Sequence, residues 1–198
     1  PALIRDLMDG AIALRLTAFS GLAEANADAL VRRDIDAMIS SDPMEGLDNL
    51  IRHPLFREPF LVVAPAVWEQ ELGQLPLDAL FSRRRLIRYS ARSHMGSQVE
   101  RHLRRLRIEH PHVLSFDTAD SLLGMVAGGA GVTITTPLCL LQGAIHLPNL
   151  AIWPLPGPGF SREIGLVLRR GELDTLGPRI ADATRSMLRR YTLPQILR

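Results

Sequence analysis

The chain has 198 residues, of which 46% are hydrophobic and 22% are charged, an ordinary globular composition with enough apolar residues for a sizeable core. Its 23 basic residues are balanced by 21 acidic ones, so no general basic excess marks the whole chain as a nucleic-acid binder. The single cysteine, Cys139, lies in an apolar run and is interpreted as a buried, inert thiol. One cysteine excludes an internal disulfide framework and agrees with a reducing compartment. No segment is apolar enough to cross a bilayer and no signal segment is visible, so we expect no membrane contact. The reducing compartment that the single cysteine indicates would be the cytoplasm.

Helices and strands alternate in the first third of the chain. A helix is predicted over Ala2–Met8 and a half-buried strand over Ile12–Phe19. A helix over Leu22–Arg33 and a strand over Ile35–Ser40 complete a βαβ unit, whose two strands should be parallel. An apolar strand bounded by prolines follows at Pro59–Pro65. This alternation predicts an α/β fold.

An arginine-rich helix is predicted near the middle of the chain. Trp68–Leu80 is predicted to be irregular, and Arg85–Ser90 to be a strand. A helix then follows the stretch Ser90–Gly96, starting near Met95, and runs to about Arg107. Its outer face carries Arg101, Arg104, Arg105 and Arg107. We interpret these arginines as a solvated helix face, with a nucleic-acid or partner contact as the alternative.

Residues 112–137 are predicted to form a complete strand–helix–strand step. A strand over His112–Phe116 leads to a helix capped by Thr118 or Asp120. Glycines from Gly128 onward stop that helix, and Val132–Pro137 gives a second strand and opens another helix. Two helix N-termini are therefore expected at the carboxyl edge of neighbouring parallel strands, where open α/β sheets bind ligands.

The last third of the chain is predicted to hold two strands and one helix. Ala151–Pro156 reads as an edge strand because of its prolines, and Ser161–Arg170 reads as a further strand. Pro178 is predicted to open the last helix. Its expected inward residues are Ile180, Ala183, Met187 and Leu188.

Small hydroxyl residues recur where a predicted strand ends and a helix or turn begins. Helix N-termini present free N–H groups that hold anions, and Arg92 among the serines can give a carboxylate a bidentate partner. Each hydroxyl taken alone is more simply a structural cap. If the groups converge on a crevice between two lobes, they predict a small-ligand site. Catalytic and metal-binding motifs are not found in the sequence, so we expect no catalytic residue, no metal site and no cofactor.

Four segments in order carry a family resemblance: Arg33–Pro43, Phe56–Pro65, Leu86–Gly96 and Phe116–Pro137. They resemble the effector-binding domain of LysR-type transcriptional regulators. The resemblance implies two Rossmann-like α/β lobes joined by two crossover strands, as in type 2 periplasmic binding proteins. Residues 1–59 and 165–198 would form the first regulatory subdomain, and residues 60–164 the second. By the same resemblance the effector pocket is lined by Ser20, Gly21, Ser41, Ser90, Arg92, Ser93, Thr118, Thr135, Thr136 and Pro137.

The resemblance also implies a function. A small effector, expected to bear a carboxylate, would bind between the lobes and modulate DNA binding by a winged helix-turn-helix domain. Residues 1–198 do not contain that domain, so this part of the protein is not expected to bind an operator by itself. The family implies antiparallel homodimers, with the helices starting near Ala2 and Met95 as candidate faces, and a homotetramer for the full-length protein. An extracytoplasmic solute-binding protein and an enzyme on a related two-lobed scaffold are the alternatives.

Overall fold

The computed structural model describes residues 4–5, 15–44, 46–111 and 113–192, with side chains described up to Arg190. The helices in this part of the chain are α1 (Ala23–Val31), α2 (Glu69–Leu72), α3 (Leu77–Arg83), α4 (His94–Arg105), α5 (Ala119–Ala127), α6 (Pro137–Gln142) and α7 (Leu176–Met187). The strands are β1 (Ala37–Ser40), β2 (Leu50–Pro59), β3 (Leu61–Pro65), β4 (Arg88–Tyr89), β5 (Ser115–Phe116), β6 (Thr133–Thr135), β7 (Leu150–Pro154) and β8 (Ser161–Arg169). Helical turns of other types cover Ala66–Trp68, Ala144–Asn149 and Leu188–Thr192.

The chain divides into two compact units. The first unit takes Pro1–Arg57 and Glu163–Arg198, and the second takes Glu58–Arg162. The chain therefore passes from one unit to the other twice, within β2 and within β8.

The first unit is built on a three-stranded sheet in the order β1-β8-β2. β1 runs antiparallel to β8, with Ala37 opposite Leu168 and Ser40 opposite Gly165. Its small core packs the buried face of α1 against the sheet and includes Leu30 and Val167. Helix α1 is therefore held by apolar burial, since no side chain caps its N-terminus.

The second unit holds the larger core. β3 is the central strand of the order β6-β3-β7 and is antiparallel to both neighbours, whereas β4 and β5 are parallel. A parallel bridge between Leu86 and Val132 joins the segment before β4 to the segment before β6. Helices α3, α4 and α5 each bury apolar residues in this core, among them Phe81, Leu103 and Leu122.

The predicted strand over Ile12–Phe19 is wrong for the residues that the structure describes. Arg15–Phe19 has no regular structure and every residue in it is exposed, so no sheet packing stabilises its alternating pattern. The described partner of β1 is β8, in an antiparallel pairing, and Arg15–Phe19, the described part of the predicted parallel partner, is not a strand. The predicted helix over Ala2–Met8 lies outside the described residues apart from Ile4 and Arg5, which are helical.

Two further predictions differ from the structure. Trp68–Leu80 is not irregular but contains α2 and the start of α3, because Leu72, Leu77 and Leu80 are spaced so that the helices bury them. The last helix begins at Leu176, two residues before the expected start. The buried residues of this helix are Gly177, Ala181 and Thr184. Of the expected inward residues, Leu188 is buried, whereas Ile180, Ala183 and Met187 are only half-buried.

Candidate functional site

Three parallel segments end at one edge of the second unit. Tyr89 in β4 lies opposite Phe116 in β5, and the Leu86–Val132 bridge sets the segment leading to β6 on the other side of β4. The β4 segment therefore lies between β5 and β6, and the expectation that β5 and β6 are direct neighbours was wrong. Their carboxyl ends still share an edge, because all three run in the same direction. Seven predicted site residues lie at these ends: Thr135 is the last residue of β6, and the strand ends are followed by Ser90, Arg92, Ser93, Thr118, Thr136 and Pro137.

Ser93 caps α4 at this edge. Its hydroxyl accepts a hydrogen bond from the Gly96 N–H at 3.0 Å and donates one to the Ser90 carbonyl at 2.7 Å. Gly96 packs so closely on this turn that an added Cβ would overlap the Ser90 carbonyl oxygen. The Ser90 hydroxyl accepts from the Arg92 N–H at 3.4 Å. The turn is therefore fixed by its own hydrogen bonds, and it presents the first turn of α4 at the edge.

Thr118 caps α5 beside it. Its hydroxyl accepts from the Ser121 N–H at 3.3 Å and donates to the Ser121 hydroxyl at 2.9 Å. The exposed guanidinium of Arg92 lies 3.3 Å from the carboxylate of Asp117, and both side chains are more than half exposed to solvent. An exposed ion pair of this kind is worth about 0–1 kcal/mol, so Arg92 can exchange Asp117 for another anion at little cost.

The start of α6 is occupied by a carboxylate of the protein itself. Glu58, which is 0% exposed, accepts from the Leu138 N–H at 2.8 Å and from Arg162 Nε at 2.7 Å. Arg162 also donates to the Thr136 hydroxyl at 2.8 Å, and Pro137 occupies the first helical position. A first-turn N–H of α6 is therefore satisfied by a carboxylate of the protein itself. Thr136 and Pro137 are buried parts of this network.

Thr135 and Tyr89 form a second buried contact at this edge. Their hydroxyl oxygens lie 2.7 Å apart, and Thr135 is 0% exposed. Burial raises the pKa of the Tyr89 phenol well above its ordinary value, and the neighbouring Cys139 raises it further. The phenol therefore stays protonated and acts as a neutral hydrogen-bonding group.

Sequence reasoning did not find Glu58, Arg162 or Tyr89. Glu58 and Arg162 stand 104 positions apart, so no local spacing connects them. No local signal marked them either, because Arg57 stands beside Glu58 and Glu163 stands beside Arg162, so neither is an isolated charge in its strand.

The remaining three predicted site residues belong to the first unit. Ser20 and Gly21 are exposed in the segment before α1, where the Gly21 carbonyl accepts from the Asn26 side chain at 3.3 Å. Ser41 is half-buried and directly follows β1. These residues therefore lie at an element boundary in the first unit, as the hydroxyl residues do in the second.

Neither a metal centre nor a membrane span is found within the described ranges. No group of three His, Cys, Asp or Glu side chains is arranged to hold a metal ion in this part of the chain. The helices of the described residues are likewise too short or too polar to cross a bilayer. Cys139 is a buried free thiol, and the Arg162 guanidinium lies 3.5 Å from its sulfur.

Solved structures of transcriptional regulators share this fold. A mutant OxyR from Corynebacterium glutamicum, bound to hydrogen peroxide, has a TM-score of 0.82 and 17% identity over 100% of this chain and 63% of that chain. A full-length BenM mutant has a TM-score of 0.79 and 20% identity over 94% of this chain and 62% of that chain. The regulatory domain of Synechocystis PCC6803 CcmR, in complex with 2-PG, has a TM-score of 0.79 and 18% identity over 96% and 90% of the two chains. The chain thus spans about 63% of the OxyR chain and 62% of the BenM chain.

The family comparison agrees with the structural one. No curated protein matches the chain. The family described as the LysR substrate binding domain matches residues 1–190, and its α/β fold of the type 2 periplasmic binding proteins is the one expected from the sequence. The family and the structural neighbours are transcriptional regulators, not enzymes. The chain belongs to the LysR substrate binding domain family.

Proposed function

We propose that this domain is the sensor of a LysR-type regulator and binds a small effector that bears a carboxylate. The observation that carries the proposal is the shared edge at the ends of β4, β5 and β6. Two capped helices, α4 and α5, begin there. The exposed Arg92 directly precedes the cap of α4, and it pairs with Asp117, which directly precedes the cap of α5. Helix N-termini and a guanidinium favour an anionic ligand.

The side chains at this edge divide into two groups. Arg92 is paired only with an exposed carboxylate, and the hydroxyls of Ser90, Ser93 and Thr118 form local capping bonds near solvent. Thr135 is bound to Tyr89 in the interior. We therefore assign the direct ionic contact to Arg92. The buried residues at the end of β6 and the start of α6 would hold the strand ends in position without contacting the carboxylate; these are Thr135, Thr136 and Pro137.

We further propose that the two subdomains, residues 1–59 with 165–198 and residues 60–164, each contribute to the site. The division of the chain at 57/58 and 162/163 supports these boundaries. Ser20, Gly21 and Ser41 would supply the contacts from the first subdomain. An effector bound to both subdomains shifts their relative orientation only by its differential affinity for the two arrangements.

The proposed regulator acts on DNA through a winged helix-turn-helix outside residues 1–198, in the cytoplasm, as a homodimer of this domain and a homotetramer of the full-length protein. Family membership supports this proposal over an extracytoplasmic solute-binding protein. The reading frame upstream of Pro1 should encode a helix-turn-helix, and a signal peptide there would contradict the proposal. Sedimentation at high micromolar concentration should give a dimer, and a monomer would contradict the oligomer part.

A thermal-shift screen of small carboxylates tests the effector class. At least one carboxylate should raise the unfolding temperature, because a ligand that binds only the folded state stabilises it. The Arg92→Ala variant should lose most of that shift. Arg32→Ala is a matched control, since it removes a comparable exposed ion pair, with Asp34 at 3.1 Å, in the first unit. If Arg92→Ala keeps the full shift, the role assigned to Arg92 is wrong; if no carboxylate stabilises the chain, the effector class is wrong.

A further inference from the structure

A histidine is buried on the inner side of helix α4. His102 is 3% exposed, and its ring Nδ1 lies 3.0 Å from a guanidinium nitrogen of Arg105. Because an arginine only donates hydrogen bonds, Nδ1 accepts, and the proton of the neutral ring is on Nε2. Nε2 is buried and has no hydrogen-bond partner among the described residues. The side chain is therefore held as one neutral tautomer whose remaining N–H is unsatisfied.

The His102 ring is the first of three stacked rings. Its centroid lies 4.2 Å from that of Phe160, and the Phe160 ring in turn stacks on Phe60 at 3.9 Å. The Phe60 N–H also donates to the Phe160 carbonyl at 3.0 Å. Phe60 directly follows β2 and Phe160 directly precedes β8, the two strands within which the chain passes between the units. The three rings, which we call the ring stack, therefore fasten α4 to both of these segments within the second unit.

A second proton on the His102 ring is poorly accommodated in the ring stack. The proton has to enter at Nδ1, which then directs a donor at the donor groups of Arg105 and sets two positive charges side by side. The face of Phe160 attracts a cation, but a buried imidazolium loses its hydration. Burial and the neighbouring Arg105 together lower the pKa of His102 from its ordinary value of 6.5.

No carboxylate in the described part of the chain is paired with the His102 ring to offset this charge. Strand β4 packs against α4, and Arg162 of β8 approaches the Met95 sulfur of α4 at 4.0 Å. The charged and titratable groups of these elements near the ring are cations, a phenol that stays protonated, and carboxylates already bound by arginines; they are Arg88, Arg101, Arg104, Arg105, Arg162, Tyr89, Glu58 and Glu100. Protonation of His102 therefore opposes the packing of α4.

We propose that His102 is a pH-sensitive switch whose neutral ring holds α4 on the ring stack and whose protonation releases α4 while the rest of the second unit stays folded. In the released helix the ring binds its proton with the ordinary pKa of 6.5, and in the packed helix only at lower pH. The packed form therefore loses stability as the pH falls below 6.5. Because the first turn of α4 lies at the edge assigned to the effector, release also alters that edge; this link to sensing rests on the proposed function, whereas the release of α4 does not.

Amide hydrogen exchange of the 198-residue chain, followed by mass spectrometry between pH 7 and 5 and corrected for the intrinsic pH dependence of exchange, tests the switch. The peptide that covers α4 should be less protected than the one that covers β3 at every pH, because α4 opens without the rest of the unit. Its protection should fall by up to about tenfold per pH unit below 6.5, the change that one proton bound in the open state gives. Equal protection of the two peptides means that α4 opens only with the whole unit, and that result would overturn the proposal.

The variant His102→Gln carries a polar side chain that does not titrate, so its α4 peptide should lose the pH dependence. The matched control is His146→Gln, which removes a histidine of the same unit that lies outside the ring stack and pairs with Asp120 at 3.2 Å. The control should keep the pH dependence of the unmodified chain. If His102→Gln does not fold, Phe160→Leu takes its place, and it should lower the protection of α4 already at pH 7 because His102 loses its stacking partner. Protection of α4 that does not change with pH, that changes equally in His102→Gln, or that is unaffected by Phe160→Leu overturns the proposal.

Discussion

The buried pair of Glu58 and Arg162 allows a quantitative prediction about stability. Replacing Arg162 by Met removes both guanidinium contacts to Glu58 and the donor to the Thr136 hydroxyl. Among the described residues, Glu58 then keeps only the Leu138 N–H as a partner, although it is 0% exposed. We expect the variant to lose about 3–5 kcal/mol of unfolding free energy, the usual cost of leaving a buried charge without its partner.

The double variant Glu58→Leu and Arg162→Met should recover much of this loss. Removing both charges eliminates the unpaired ion, and buried ion pairs can often be replaced by apolar groups at little cost. The remaining loss should be about 1–3 kcal/mol, because the Leu138 N–H is left without an acceptor in the interior. The double variant is therefore predicted to be more stable than Arg162→Met alone.

Urea unfolding followed by tryptophan fluorescence measures this, since Trp68 and Trp153 both belong to the second unit together with the ion pair. Arg92→Met is the matched control, because its exposed pair with Asp117 should be worth less than about 1 kcal/mol. If Arg162→Met costs no more than Arg92→Met, or if the double variant is no more stable than Arg162→Met alone, the reasoning about Glu58 is refuted.

Two further predictions concern residues of α4, Gly96 and His102. Gly96→Ala should cost about 1–3 kcal/mol, because its Cβ would overlap the Ser90 carbonyl, whereas Gly159→Ala should change stability by less than about 0.5 kcal/mol because nothing lies near that position. Urea unfolding of both variants checks this, and equal losses would contradict it. Burial, together with the nearby Arg105, lowers the pKa of His102 from 6.5, so the unfolded chain binds a proton at higher pH than the folded one. The unfolding free energy should therefore fall as pH decreases below 6.5, and His102→Gln should flatten this part of the pH profile; an unchanged slope would count against it.

Local signals in the sequence predicted the strand ends and helix starts of the second unit well. Ser93 and Thr118 cap α4 and α5 through the expected side-chain bonds, and Pro137 occupies the first position of α6. Glycine ends α5 at Gly128. These predictions succeeded because a cap depends on the backbone and side chains within three or four residues of the helix end.

Predictions that needed a distant partner were less successful. The alternation in Arg15–Phe19 suggested a strand, but a strand forms only where another strand pairs with it. The neighbours of β5 and β6 were misassigned, because the order of strands in a sheet depends on which segment passes between them. Leu72 and Leu77 lie in a stretch that was predicted to be irregular, and they form helices because the core of the second unit buries them.

Residue types and short-range spacing were enough to predict the α/β character of the chain, the caps that place hydroxyl groups at strand ends, and the arginines on the outer face of α4. The partners of the buried groups emerged only from the folded chain, in which Glu58 accepts from Leu138 and Arg162, Tyr89 contacts Thr135, and Arg88 pairs with Glu100. The physical reason is that the energy of a charge or hydroxyl depends on burial and on its partner, and both are supplied by residues far away along the chain.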